Sequence, residues 1–125
     1  CTWARAININ HLFFILSLKF IIFRNFLAGN DCYRREQFNE ASKKYRKAIY
    51  LLDNTRILND EEESRCKAVK LKLYLNMSQI SKKLVKPKKT IYYCKLALDI
   101  EPNNIKALYR YGHVKYFIKK FIIIG

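Results

Sequence analysis

Apolar positions repeat at intervals of three and four through the middle of the chain. Cys66, Val69, Leu73, Met77, Ile80 and Leu84 fall on one helical face. Ala41, Tyr45, Ala48 and Leu52 do the same, and Asn39 just ahead of them is read as the cap of their helix. Pro87 suits the first turn of a further helix carrying Ile91, Cys94, Ala97 and Leu98. The Glu-Pro-Asn-Asn run at 101–104 ends that helix and starts the next. Three glycines and two prolines in 125 residues are too few for a fold of many tight turns. The expectation for residues 22–120 is an all-α fold.

The two ends read differently. Residues 11–23 are strongly apolar but short of the ~20 residues that span a membrane, and Lys19 interrupts them. A short membrane-contacting helix, a helix packed on the next domain and translated non-coding sequence all stay open for residues 11–23, and residues 1–21 are set apart as an apolar segment whose status as coding sequence is undecided. Residues 117–125 have a similar wording, and 121–125 are set apart as a tail. The first residue is Cys1 and the only methionine is Met77, so the expectation is a fragment of a longer protein.

Small residues recur at fixed offsets. With Gly29, Ser78 and Gly112 aligned, Ala41 and Thr90 follow the first two by 12 residues, Tyr45 and Cys94 by 16, and Ala48 and Ala97 by 19. Ser78 and Gly112 are 34 apart, and Gly29 and Ser78 are 49 apart. A period of about 34 with small residues at helix-contact positions is the tetratricopeptide (TPR) signature. Each repeat is a pair of antiparallel helices, A and B, which approach closely where side chains are small, and pairs stack because one alone cannot bury its apolar face. The fold expected is an α-solenoid of TPR hairpins, two full repeats plus the first helix of a third, with an exposed apolar edge on that last helix.

The segments GNDCYRREQFNEASKKYRKAI (29–49), LYLNMSQISKKL (73–84) and CKLALDIEPNNIKALYRYG (94–112) resemble the TPR domains of FK506-binding-type immunophilins. Within that group the likeness is to the germline type whose isomerase domain has lost activity. The extra length around 50–67, with its acidic run at 60–63, is similar to the lengthened helices of immunophilin first repeats. The resemblance implies a peptidyl-prolyl isomerase domain ahead of this region in the whole protein, and a cytoplasmic co-chaperone role.

Charge narrows the partners. Lysine and arginine number 25 against 10 acids, a balance of +15. Residues 71–125 hold twelve bases against only Asp99 and Glu101. That half could attract an acidic peptide, an acidic membrane or nucleic acid. Lys82, Lys83, Lys86, Lys88 and Lys89 cluster without interleaved aromatics, which counts against base stacking. The four cysteines are scattered without a CxxC, and with two histidines they make too sparse a set for zinc, so no metal or cofactor is expected. No nucleophile–base set or phosphate loop is present, and the chain is expected not to be an enzyme.

In a TPR array the A helices line a concave groove. The polar residues on that face are Asn30, with Phe26 one turn earlier; Asn76, with Lys72, Gln79 and Lys83; and Lys106, Arg110 and His113 at i, i+4 and i+7. Cations and amides together suit a peptide carboxylate. Chaperone-binding TPR domains use a clamp of Lys and Asn from the first helix, Asn from the third and Lys and Arg from the fifth. The resemblance carries four of these places to Asn30, Asn76, Lys106 and Arg110. The fifth, four residues before Asn30, is Phe26 instead of Lys. The implied ligand is the acidic C-terminal peptide of ninety- or seventy-class heat-shock chaperones. A basic module that binds RNA, and a TPR protein tethered to a membrane through 11–23, stand as alternatives, and each clamp residue taken singly also reads as an ordinary helix-surface group.

Overall fold

A computed structural model describes the backbone of residues 2–124 and, within it, the side chains of residues 14 and 16–121. Five helices occupy the described residues: α1 (Thr2–Arg34), α2 (Phe38–Asp53), α3 (Asp60–Lys83), α4 (Pro87–Ile100) and α5 (Ile105–Ile124). No strand is present among them. α1 packs on α2, α2 on α3, α3 on α4 and α4 on α5, and α3 also meets α5. The chain therefore folds as TPR hairpins, α1–α2 and α3–α4, followed by the A helix α5.

The offsets read from the sequence are the helix–helix contacts. Ala41, Tyr45, Ala48 and Leu52 are the buried face of α2, and Thr90, Cys94 and Ala97 that of α4. Leu73, Met77 and Ile80 of α3 are buried against them, with Cys66, Val69 and Leu84 packed partly alongside. The aligned small residues differ in what they meet. A Cβ on Gly29 would lie 2.5 Å from Cε1 of Tyr45. Ser78 is fully buried and donates its hydroxyl to the Leu75 carbonyl at 2.7 Å. A Cβ on Gly112 would meet nothing within 4 Å. Around it α5 exposes Leu108, Tyr109, Tyr116 and Phe117.

Both hairpins turn in the same way. Glu36 and Val85, 49 residues apart like Gly29 and Ser78, take positive φ of 61° and 56°. The next amide reaches back five residues, Gln37 to Cys32 O and Lys86 to Ser81 O. This is the left-handed C-terminal cap that closes a helix, here built without glycine. The reading of Asn39 as a cap is corrected: α2 begins at Phe38 after Gln37, which makes no side-chain cap. The turn closing α1 already fixes the entry into α2, so no capping side chain is needed there.

Real side-chain caps occur at Asn59 and Asn104, whose Oδ1 atoms accept from Glu62 N (2.8 Å) and Ala107 N (3.0 Å). Glu62 in turn accepts from Leu58 N at 3.2 Å, one residue before the cap, so its carboxylate ties the incoming chain to the first turn of α3. The acidic run Asp60, Glu61, Glu62 and Glu63 is thus the first turn of α3, where the helix dipole favours negative charge. Lys70 bridges to Asp53 at 2.8 Å and clasps α3 to the end of α2.

The boundary set at residues 21 and 22 falls inside α1, and that at 120 and 121 inside α5. No described helix is long and apolar enough to cross a membrane.

The two glycines give opposite expectations. Gly29→Ala forces the Tyr45 ring aside and should cost about 1–3 kcal/mol. Gly112→Ala meets open space and should gain about 0.5–1 kcal/mol from helix propensity. Urea unfolding followed by helical circular dichroism measures both.

Candidate functional site

A cavity of about 430 Å³ opens between the A helices. α1 contributes Asn30, Tyr33 and Arg34, spaced three and four residues apart on one face; α3 contributes Asn76 and Gln79; α5 contributes Arg110; and Tyr45 of α2 closes the floor. The lining has two guanidiniums, three amides and two phenols, and no carboxylate. Neither Arg34 nor Arg110 has an ion-pair partner among the described residues.

Packing and polarity meet at Tyr45. Its ring lies against Gly29 and stands edge-on to Phe26, with centroids 6.1 Å apart. Its hydroxyl donates to Asn30 Oδ1, and the Asn76 side chain lies beside the Tyr45 hydroxyl oxygen. Burial pushes its pKa up from 10.0 to about 12, the Asn76 bond opposing that rise. Asn30 is thereby fixed with its carbonyl turned to Tyr45, which leaves its NH₂ as the group able to face a ligand.

Arg110 is braced across to α3. Its Nη1 donates to Leu75 O at 2.9 Å and to Ser78 Oγ at 3.1 Å. Burial lowers its pKa from the usual arginine range, but a guanidinium stays charged at any ordinary pH. The Leu75 carbonyl and the Ser78 hydroxyl oxygen hold Nη1 of the fork, and its remaining N–H groups are free to bond an anion. The Cys94 thiol lies beside Ser78, and its pKa rises chiefly through burial. The small residue of the second repeat is therefore a relay between the α3–α4 contact and the cationic site.

Of the residues singled out from sequence, Asn30, Asn76, Gln79 and Arg110 share this cavity. Lys106 is exposed one turn before Arg110 and lies outside the lining. His113, taken as sharing a face with them, stacks on Tyr109 (6.0 Å) and lines a separate cavity of about 200 Å³ beside Lys82 and Pro87. Lys106 and His113, seven residues apart, differ by only about 20° around the helix, whereas Arg110 is rotated by about 40° and 60° from them, which turns it alone into the cavity between the A helices. Lys83 is exposed and lines neither cavity. Phe26 and Lys72 line a third, apolar cavity nearer the N-terminal ends of α1 and α3. Tyr33, Arg34 and Tyr45 were not foreseen as site residues. Tyr33 and Arg34 stand three and four residues after Asn30, a spacing that could have found them, whereas Tyr45 read only as a packing residue. No group of three or more metal-ligating side chains forms among the described residues.

No protein-family model matches the chain. It is 37% identical over 84 residues to the inactive peptidyl-prolyl cis-trans isomerase FKBP6 of Equus caballus, covering 67% of this chain and 26% of that protein. It is 33% identical over 93 residues to FKBP6 of Homo sapiens, covering 74% and 28%. It is 26% identical to the peptidyl-prolyl cis-trans isomerase FKBP4 of Bos taurus, covering 74% and 20%. The chain thus spans about a quarter of the length of these relatives. Among solved structures it matches the C-terminal TPR-containing domain of an FK506-binding protein of Plasmodium falciparum. That match has a TM-score of 0.71 and 28% identity, and covers 77% of this chain and 65% of that one. The matched structure is a TPR domain and not an isomerase domain, and the described helices offer no isomerase fold.

The raised Tyr45 pKa sets an alkaline limit. The folded hydroxyl keeps its proton to about 12, whereas an unfolded tyrosine releases it near 10.0. Stability from this group is complete below the lower value and is lost as pH rises through the higher one. Tyr45→Phe should remove the latest-titrating phenol from a near-ultraviolet titration and flatten the loss of stability in that window. It should also cost about 0.5–1.5 kcal/mol at neutral pH by leaving Asn30 without its donor.

Proposed function

We propose that this chain, a TPR domain homologous to part of the FK506-binding-type immunophilins, is a protein-interaction module of a cytoplasmic co-chaperone. Its ligand is the acidic C-terminal peptide of a ninety- or seventy-class heat-shock chaperone. The observation that carries the reading is the carboxylate-free cavity in which Asn30, Asn76 and Arg110 converge from three A helices. A chain-terminal carboxylate and an acidic side chain are the anions that such a set of amides and guanidiniums bonds well.

The residues take distinct roles in this reading. Arg110, braced on Leu75 and Ser78, presents a charged fork at small entropic cost. Asn30 and Asn76 donate amide N–H to the terminal carboxylate. Arg34 and exposed Lys106 stand at the rim, where charge speeds encounter more than it deepens affinity. Phe26 occupies the place where the clamp pattern has a lysine, and its ring is spent on Tyr45. Arg34, four residues after Asn30 on the opposite side from Phe26, is the cation that offsets this loss.

Titration of a fluorescent peptide ending Glu-Glu-Val-Asp tests the reading. Arg110→Ala and Asn76→Ala should weaken binding, the arginine change by about 2–5 kcal/mol, which is roughly thirtyfold or more. Lys106→Ala should mainly slow association and reduce the salt dependence. Helical circular dichroism establishes that the Arg110 variant, which also loses its bonds to α3, is folded. Equal affinity of wild type and Arg110→Ala would refute the reading.

A further inference from the structure

A second concavity lies further along the same A helices. It has a volume of about 430 Å³ and is walled by Ile22, Phe23 and Phe26 of α1, Leu52 of α2, and Cys66 and Val69 of α3. At its rim Lys19 pairs with Glu62 at 3.2 Å, and Arg65 and Lys72 stand beside them. Glu62 is the one carboxylate there, and it is occupied twice, by Lys19 and by Leu58 N. Lys72 has no ion-pair partner among the described residues.

An apolar stripe borders this cavity. Leu16, Phe20, Phe23 and Leu27 are 54%, 65%, 60% and 48% exposed. They follow one another at steps of four, three and four, so they form one line about 16 Å long on α1. Phe23 belongs to both the stripe and the cavity wall. A scattered exposed leucine needs no explanation, but four in register beside an apolar hollow mark an interaction surface.

We infer that the stripe and the cavity together dock an acidic amphipathic helix of another protein, which lays its apolar face along α1 and seats one bulky side chain between α1 and α3. The length of the stripe is that of three helical turns, which a small molecule filling the cavity would leave uncovered. The sign of the partner follows from charge. Residues 1–30 contain three bases and no acid, and the rim adds Lys72, which pairs with no acid among the described residues, while Arg65 beside it is paired with Glu61 on its own helix. A second copy of this chain would bring its own balance of +15 against the same surface. The site is separate from the amide and guanidinium cavity, and it does not rest on the chaperone-tail reading.

Cys66 in the cavity wall is a built-in reporter. The probe is an 18-residue helical peptide with leucines and one tryptophan on an i, i+3, i+4, i+7 stripe and glutamate elsewhere. Its C-terminus is amidated, so that no chain-terminal carboxylate is offered. Bound to the 125-residue chain, it should slow alkylation of Cys66 by iodoacetamide at least tenfold while leaving Cys32 unchanged, as read by peptide mass. Phe23→Glu, at an exposed position, should weaken its binding at least tenfold and leave Glu-Glu-Val-Asp binding intact. Tyr92→Glu, equally exposed on α4, should change neither. Excess Glu-Glu-Val-Asp peptide should not displace the helix. The inference is overturned if a scrambled peptide of the same composition protects Cys66 as well, or if a version with lysine in place of glutamate binds as tightly. It is also overturned if Phe23→Glu binds normally or if the tail peptide competes. Failure of the tail peptide to bind at all would count against the chaperone reading alone.

Discussion

The approach of α1 to α2 at Gly29 is the constraint from which the candidate site follows. A missing side chain lets the Tyr45 ring lie flush on the α1 backbone, at a distance that any Cβ would prohibit. The ring then spans the hairpin, and its hydroxyl emerges on the far side among the amides of Asn30 and Asn76. A contact that exists to bury apolar area thus fixes the polar floor of a cavity. The second repeat solves the same problem with Ser78. Its hydroxyl is accommodated by bonding its own helix at Leu75, and the same oxygen receives Arg110 from the next A helix. Small residues at equivalent places connect packing to polarity in both repeats, by different chemistry.

This coupling explains what the sequence could and could not disclose. The buried faces of α2 and α3 were legible because helical periodicity is a local property, and every residue named for α2 is buried. Pro87 marked its helix start for an equally local reason, a fixed φ and a missing N–H. Asn39 misled because the α1–α2 turn is closed from the other side, by Glu36 in a left-handed conformation that composition does not announce. Asn30, Asn76 and Arg110 were found through the family's spacing and not from their own character. Tyr45 escaped because a buried aromatic at a packing offset gives no sign of where its hydroxyl will point. Lys106 and His113 flank Arg110 in sequence, yet of the three only Arg110 lines the cavity between the A helices. The side of α5 that faces α3 is set by tertiary packing, which no window of residues contains.

The N-terminal half of α1 is held by a different kind of interaction. Lys19 reaches Glu62, itself part of the cap that starts α3, so one carboxylate joins the entry of α3 to the flank of α1. The interaction with Lys19 and the Leu58 amide holds the Glu62 carboxyl below the usual carboxylate range. Stability from it is present above the ordinary carboxylate pKa and disappears as pH falls through the lowered one. The inner side of this segment, at Ile22 and Asn25, is buried, while Phe20, Phe23 and Leu27 are left to solvent. α2 has 16 residues against the 33 of α1, so one antiparallel neighbour cannot cover the longer helix along its length.

Charge placement gives the same two-part description. Most acids are consumed internally: Asp53 by Lys70, Glu62 by Lys19, and Asp31, Glu40, Glu61 and Glu63 by neighbours three or four residues away in sequence. Such exposed pairs add little to stability. Their larger consequence is to leave unpaired cations at Arg34 and Arg110 in one hollow, which has no acid, and at Lys72 beside the other, whose one carboxylate, Glu62, is taken by Lys19. A half-buried guanidinium without a counter-ion is a standing electrostatic cost, offset here only by neutral acceptors on α3. An incoming carboxylate removes that cost, and a neutral or basic ligand does not. In the function proposed here, the groove selects acidic partners by what the fold leaves uncompensated, before any particular contact is made.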